Sequence, residues 1–245
     1  MKKLAILTAA LAILLMGGVQ VAMATPLLQG TVDTSSSPYH GQWGTYDYAY
    51  LISTATLTPV AGSGAVTLSG HVSSLAFTNY NNWLEIGLVD QNVANAALAP
   101  GANPTDMNNQ SAYFLVGTLG NNIYFEAGDY ANCRQTGGTL GDVTAFNFIF
   151  TVLPNAVGLG GTVTVTINGQ TSSLPYGVGT AEFLGNAYVV AHAFAQLGGP
   201  NGGDPNAWVH ADVKVVPLPS PLVLLGSGLA GLAFYRQRRA SGRNS

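Results

Sequence analysis

The chain has 245 residues, 47% of them hydrophobic and 8% charged, with 31 glycines, a mixture too apolar for a solvated coil and suited to strands joined by turns. The net charge of −3 conceals an asymmetry: from Thr25 to Val216 all eleven acidic residues are balanced by Arg134 and Lys214 alone, a formal −9. A body of that sign repels phosphate backbones, which excludes nucleic acid as a partner class.

Residues 1–24 have the layout of a secretory signal peptide. Lys2 and Lys3 give a charged start, Leu4 to Met16 an apolar run, and Ala22-Met23-Ala24 a small-x-small cleavage site. The expectation is a signal-peptide helix, export by the Sec machinery and cleavage by signal peptidase after Ala24. Cys133 is the only cysteine, so no internal disulfide braces the fold, and a partly buried, idle thiol is expected there.

Between 25 and 215 the pattern predicts one all-β domain, an antiparallel β-sandwich. Strands are expected over 64–77, 83–89, 112–119, 123–127, 145–153, 162–167, 187–194 and 207–215. Tyr46, Tyr48 and Tyr50 alternate and share one side of a further strand. Asn168-Gly169 is a type I′ hairpin signal, and Gly120-Asn121-Asn122 a second hairpin candidate. Segments 91–110 and 198–206, rich in Gly, Asn and Pro, read as loops.

Alternation places Leu84, Ile86 and Leu88 on one face and Trp83, Glu85 and Gly87 on the other. It likewise separates Ile123, Phe125 and Ala127 from Tyr124 and Glu126, and Val209, Ala211 and Val213 from Trp208, His210 and Asp212. The face bearing Trp83, Glu85, Tyr124, Glu126 and Trp208 suits carbohydrate, because flat rings stack on sugar C–H faces and carboxylates accept hydroxyl protons. It equally suits a solvated sheet face with aromatic cross-strand pairs.

No catalytic residue is assigned. The four histidines have no zinc spacing, and no serine lies in a G-x-S-x-G elbow. Glu85 and Asp90 are an odd number apart and point to opposite faces of a regular strand, so they cannot form a retaining glycosidase pair. No cofactor or metal is expected. The Asp- and Asn-rich loops at 90–92, 106–109 and 201–204 have oxygen donors for calcium but lack the EF-hand spacing.

Downstream, Val216-Pro217-Leu218-Pro219 is followed by the uncharged run Leu222 to Tyr235 and then by Arg236, Arg238 and Arg239. The prolines are expected to stop the last strand. A transmembrane helix over about 220–235 would follow, its arginines held on the cytoplasmic side.

The segment 216–240 resembles the PEP-CTERM sorting signals of Gram-negative bacteria, in the variant beginning VPLP. Leu218 replaces the Glu that names the family. The resemblance implies recognition by an exosortase, a membrane transpeptidase. It also implies an inner-membrane intermediate and final delivery to the cell envelope, surface or extracellular matrix. More loosely, Trp83–Leu88, Phe146–Thr151, Val163–Gly169 and Trp208–Val213 resemble concanavalin A-like (laminin-G-like) jelly rolls. A non-enzymatic body that binds polysaccharide is expected; the alternatives are a glycan hydrolase of jelly-roll type, for which Glu85 and Glu126 are the only acids to nominate, and a purely structural matrix component.

Overall fold

The computed structural model describes residues 25–36, 46–57, 66–78, 82–99, 111–119, 122–128, 134–155, 160–176, 186–197 and 206–218. The signal peptide with Ala22 and Ala24, Cys133, Pro219, the apolar run and Arg236, Arg238 and Arg239 all lie outside these residues. Among the described residues no helix is long and apolar enough to cross a membrane.

Period-2 alternation dominates the local structure. In β8 (Phe146–Pro154) Phe146, Phe148, Phe150 and Val152 are buried while Asn147, Ile149 and Leu153 are exposed. In β9 (Gly161–Ile167) Val163, Val165 and Ile167 are buried between half-buried threonines. Branched and aromatic side chains fit this pleated, half-buried surface. Asn168 (φ 51°) and Gly169 (φ 79°) then turn the chain into β10 (Gln170–Tyr176). Two consecutive positive φ values match the right-handed twist of the flanking strands, as the type I′ expectation required.

The remaining strands are β1 (Leu28–Asp33), β2 (Tyr46–Leu57), β3 (Val66–Phe77), β4 (Trp83–Asp90), β5 (Ser111–Leu119), β6 (Asn122–Gly128), β7 (Arg134–Thr139), β11 (Ala187–Gln196) and β12 (Val209–Pro217). They form two six-stranded antiparallel sheets. The first runs β1-β12-β3-β8-β9-β10 and the second β2-β11-β4-β5-β6-β7. The chain crosses repeatedly between sheets, and its last two strands insert between early ones, which makes the body a jelly-roll β-sandwich.

The core lies between the sheets. Phe114 of β5 meets Phe148 and Phe150 of β8 at ring-centroid distances of 4.7 and 5.5 Å. All three are buried, each contributing about 1.5–3 kcal/mol of hydrophobic stabilisation. At one end the sheets are joined by a hydrogen bond: the backbone N–H of Ala127 in β6 donates to Ser172 Oγ in β10 at 3.2 Å.

Two sequence expectations are revised. Part of the 91–110 segment is a short helix, α1 (Gln91–Ala97). Asp90 caps it by accepting the Asn92 N–H at 2.8 Å, and Ala94 and Ala97 pack with Val89 and Val190. The closing strand does not stop before the prolines either, since β12 runs through Pro217. The Leu218 N–H donates to Thr67 O at 2.9 Å, so the Pro217–Leu68 pair is a non-hydrogen-bonded one. The N–H that proline lacks would have pointed away from β3. Val216, Pro217 and Leu218 are thus part of, or paired with, the first sheet.

Candidate functional site

The non-core face of the second sheet carries two adjacent cross-strand rows. One row is Tyr48 (β2), Phe194 (β11), Trp83 (β4), Gly117 (β5) and Tyr124 (β6). The next, one side-chain step along each strand, is Tyr50, His192, Glu85, Leu115 and Glu126. An aromatic row therefore runs beside a polar one.

Rings fill the β2–β11–β4 end. Trp83 stacks on Phe194 at 4.0 Å and 13°. His192 lies parallel to Tyr50 at 4.4 Å and 3°, and Tyr48 stacks against the same imidazole at 5.6 Å. Tyr46 adds a contact to Phe194 at 4.6 Å. Such ring pairs are each worth about 0.5–1.5 kcal/mol beyond area burial. Burial, and then the neighbouring Tyr46 and Glu85, push the Tyr48 phenol well above its ordinary range. It therefore stays neutral throughout the physiological range.

At the centre sits an ion-pairing couple. His192 Nδ1 lies 3.1 Å from Glu85 Oε2, with the two side chains 2% and 7% exposed. A carboxylate can only accept, so Nδ1 carries the proton, and in the neutral ring Nε2 is left as an acceptor. Nε2 is buried and makes no hydrogen bond among the described residues. Burying a carboxylate and an imidazole is costly unless they are hydrogen-bonded, which explains why the couple occurs as a couple.

Towards β6, Gly117 has no side chain but is itself buried: a Cβ there would meet Trp83 Cβ at 3.1 Å and both Asn82 O and Leu115 Cδ2 at 3.2 Å, and the backbones of Trp83 and Tyr124 on either side are about 9–10 Å apart. Trp83, Tyr124 and Glu126 are half-buried. Glu85 and Glu126 occupy one row two strands apart, at a similar backbone spacing.

Four of the five carbohydrate-contact residues expected from the sequence are thus brought together: Trp83, Glu85, Tyr124 and Glu126. Trp208 is not among them. It precedes β12 in the first sheet, where its backbone N–H bonds Thr78 Oγ1. Alternation within a strand sorts residues by face but not by sheet. His192 and His210 are separated for the same reason, since His210 Nδ1 lies 3.0 Å from Asp33 Oδ2 in the first sheet. Sequence reading missed the role of His192, whose partner Glu85 is 107 residues away.

Among the described residues no three His, Cys, Asp or Glu side chains gather as a metal site. Neither a protein-family model nor a curated protein matches the chain. Solved structures similar to it include the potassium-bound carbohydrate recognition domain of Emp46p, at 9% identity and a TM-score of 0.41, covering 71% of this chain and 79% of that one. A seed lectin of Lotus tetragonolobus is similar at 10% identity and 0.38, with coverages of 79% and 91%. An alginate lyase of Pseudomonas aeruginosa is similar at 10% identity and 0.43, with coverages of 70% and 75%. These likenesses concern architecture alone and assign no residue a role.

Proposed function

We propose that this chain is an exported surface or matrix protein whose second sheet binds polysaccharide without cleaving it. The observation that carries the reading is the pair of half-buried rings Trp83 and Tyr124 in one row of this face, with half-buried Glu126 in the next. A sugar lying on this face would lay C–H faces on the indole and phenol, with Glu126 as the acceptor of hydroxyl protons. The sealed Glu85–His192 couple and its stacked tyrosines hold the β4 side of this surface rigid. Export rests on the pattern of residues 1–24. Sorting by an exosortase-type transpeptidase rests on Val216-Pro217-Leu218-Pro219, the apolar run and the arginines that follow.

The test is a panel of neutral glycans read by calorimetry. Binding without release of reducing ends, lost in Trp83→Ala and in Tyr124→Ala, supports the proposal. Binding unaffected by either change refutes it. Sorting is tested by the intact mass of the native protein, which should end within or just after residues 216–220, and a full-length tail refutes processing.

A second reading, a glycan hydrolase, draws on Glu85 and Glu126 sharing one row. Reducing ends released by the native protein, and abolished in Glu126→Gln with binding intact, would establish it.

A further inference from the structure

The opposite face of the sandwich, the outer side of the first sheet, bears an open depression of about 480 Å³. Cross-strand pairing builds it in regular rows. Lys214 (β12), His71 (β3) and Asn147 (β8) lie side by side and lead to the turn residue Asn168. The neighbouring row is Val216, Ser69, Ile149 and Thr166, continued by Thr171. Beyond it Thr67, Thr151, Thr164 and Ser173 form a hydroxyl ladder, with Thr67 and Thr151 3.3 Å apart and Thr164 and Ser173 2.8 Å apart. Core-facing Gly70 leaves room for the Phe148 ring beneath this floor.

Charge separates this face from the rest of the body. Lys214 is one of only two cations between Thr25 and Val216, against eleven carboxylates. No described residue lining the depression is acidic. Lys214 is exposed and makes no ion pair among the described residues. Exposed His71 is oriented by its Nδ1, which donates to Asn147 Oδ1 at 2.9 Å. The nearest carboxylate on β12, Asp212, is engaged by Thr31 Oγ1 at 2.6 Å and by Ser74. Ile149, 49% exposed, stands among these polar groups as an isolated apolar contact.

We propose that this depression is a second glycan site, separate from the Trp83–Tyr124 face, and that it takes a carboxylate-bearing polysaccharide. The sugar acid would sit on Lys214 and His71, the hydroxyls on Asn147, Thr166 and Ser69, and a C–H face on Ile149. A free Lys ammonium and an oriented imidazole are the donors a uronate needs, and a neutral polymer has no use for the cation. Attraction of a polyanion to one patch of an acidic body also requires that patch to lack carboxylates of its own.

The experiment is calorimetric titration of the full chain with tetragalacturonate and, in parallel, with neutral maltotetraose. Tetragalacturonate should bind with an affinity that falls as salt rises. Lys214→Ala should weaken it about tenfold or more, and Lys214→Glu or Ile149→Asp should abolish it. Both Lys214 and Ile149 are exposed, so unchanged melting temperatures of the variants establish that the fold is intact. Trp83→Ala should leave tetragalacturonate binding unchanged. No binding by the native chain, or binding indifferent to Lys214→Glu, overturns the proposal. Loss of tetragalacturonate binding in Trp83→Ala moves the acidic ligand to the other sheet and overturns it too. Failure of the Trp83–Tyr124 face to bind any sugar leaves this result readable, because the two sites lie on opposite faces.

Discussion

Val189 donates its backbone N–H to the Ser53 hydroxyl at 3.0 Å, at the one place where the β2–β11 ladder loses register. Ile52 pairs with Val190 and Thr56 with Tyr188, so Ser53, Thr54 and Ala55 stand opposite Val189 alone. Ser53 Oγ also donates to Ala55 O at 2.7 Å, satisfying both strands of the bulge. Ser53→Ala leaves the buried Val189 N–H without an acceptor. The expected cost is about 1–3 kcal/mol. Chemical denaturation measures it, and hydrogen exchange at Val189 should accelerate more than at Ala191.

Gly87 occupies the third row of the candidate site, where an added Cβ would lie 2.6 Å from Tyr113 Cβ and collide with Ala112 O. Both obstacles belong to β5, one of them backbone, so the strand itself would have to move. Gly87→Ala should destabilise by about 1–3 kcal/mol. It should also weaken glycan binding at the Trp83–Tyr124 face, because β5 lies between the strands that carry those rings. Equal affinity in the folded variant would show that the face is insensitive to the placement of β5.

Glu85 and His192 should behave as a unit. Glu85→Leu leaves a buried Nδ1–H unpaired and His192→Phe leaves a buried carboxylate, each costing about 1–3 kcal/mol or more. The double variant should cost clearly less than the sum, with a coupling of about 0.5–3 kcal/mol. Additive single costs would mean that the 3.1 Å contact contributes nothing.

Acid stability should depend on the β1–β12 edge. Burial opposes the Asp33 charge, but hydrogen bonds from the Ser35 hydroxyl, His210 and the Ser35 N–H outweigh it and hold the carboxyl below its ordinary value. The Thr31 hydroxyl, with Ser74, does the same for Asp212. A lowered folded-state pKa adds stability above the unfolded value of about 3.9, and that increment is lost as pH falls through the folded value. Asp33→Asn should therefore lower stability near neutrality, by about 0.5–1 kcal/mol for so exposed a pair. It should lose less than the native chain on acidification to about pH 3. Thermal melts across that range decide it, and parallel curves for both proteins would contradict the assignment.

Strand content was legible because alternation is a local signal. Thr162 to Ile167 followed by Asn168-Gly169 contains strand, turn and partner in a dozen residues, and β9–β10 folds accordingly. The candidate site was half legible: Trp83 and Glu85 announce a face, as do Tyr124 and Glu126. Pairing order is not local, so nothing in the string places His192 beside Glu85 or Trp208 in the other sheet. Short β1 and Gly-bearing β7 lack a long apolar alternation and escaped notice. So did α1, whose one strong cue is the Asp90 cap.

The positions of β11 and β12 have a kinetic corollary. Among the described residues, these last two strands are the sole sheet neighbours of β2 and β1 respectively. While the chain is still being synthesised, its first two strands can recruit no permanent partner, and closure awaits contacts of very large sequence separation. Such a polypeptide remains threadable for as long as its final segment is missing, and locks only when that segment arrives.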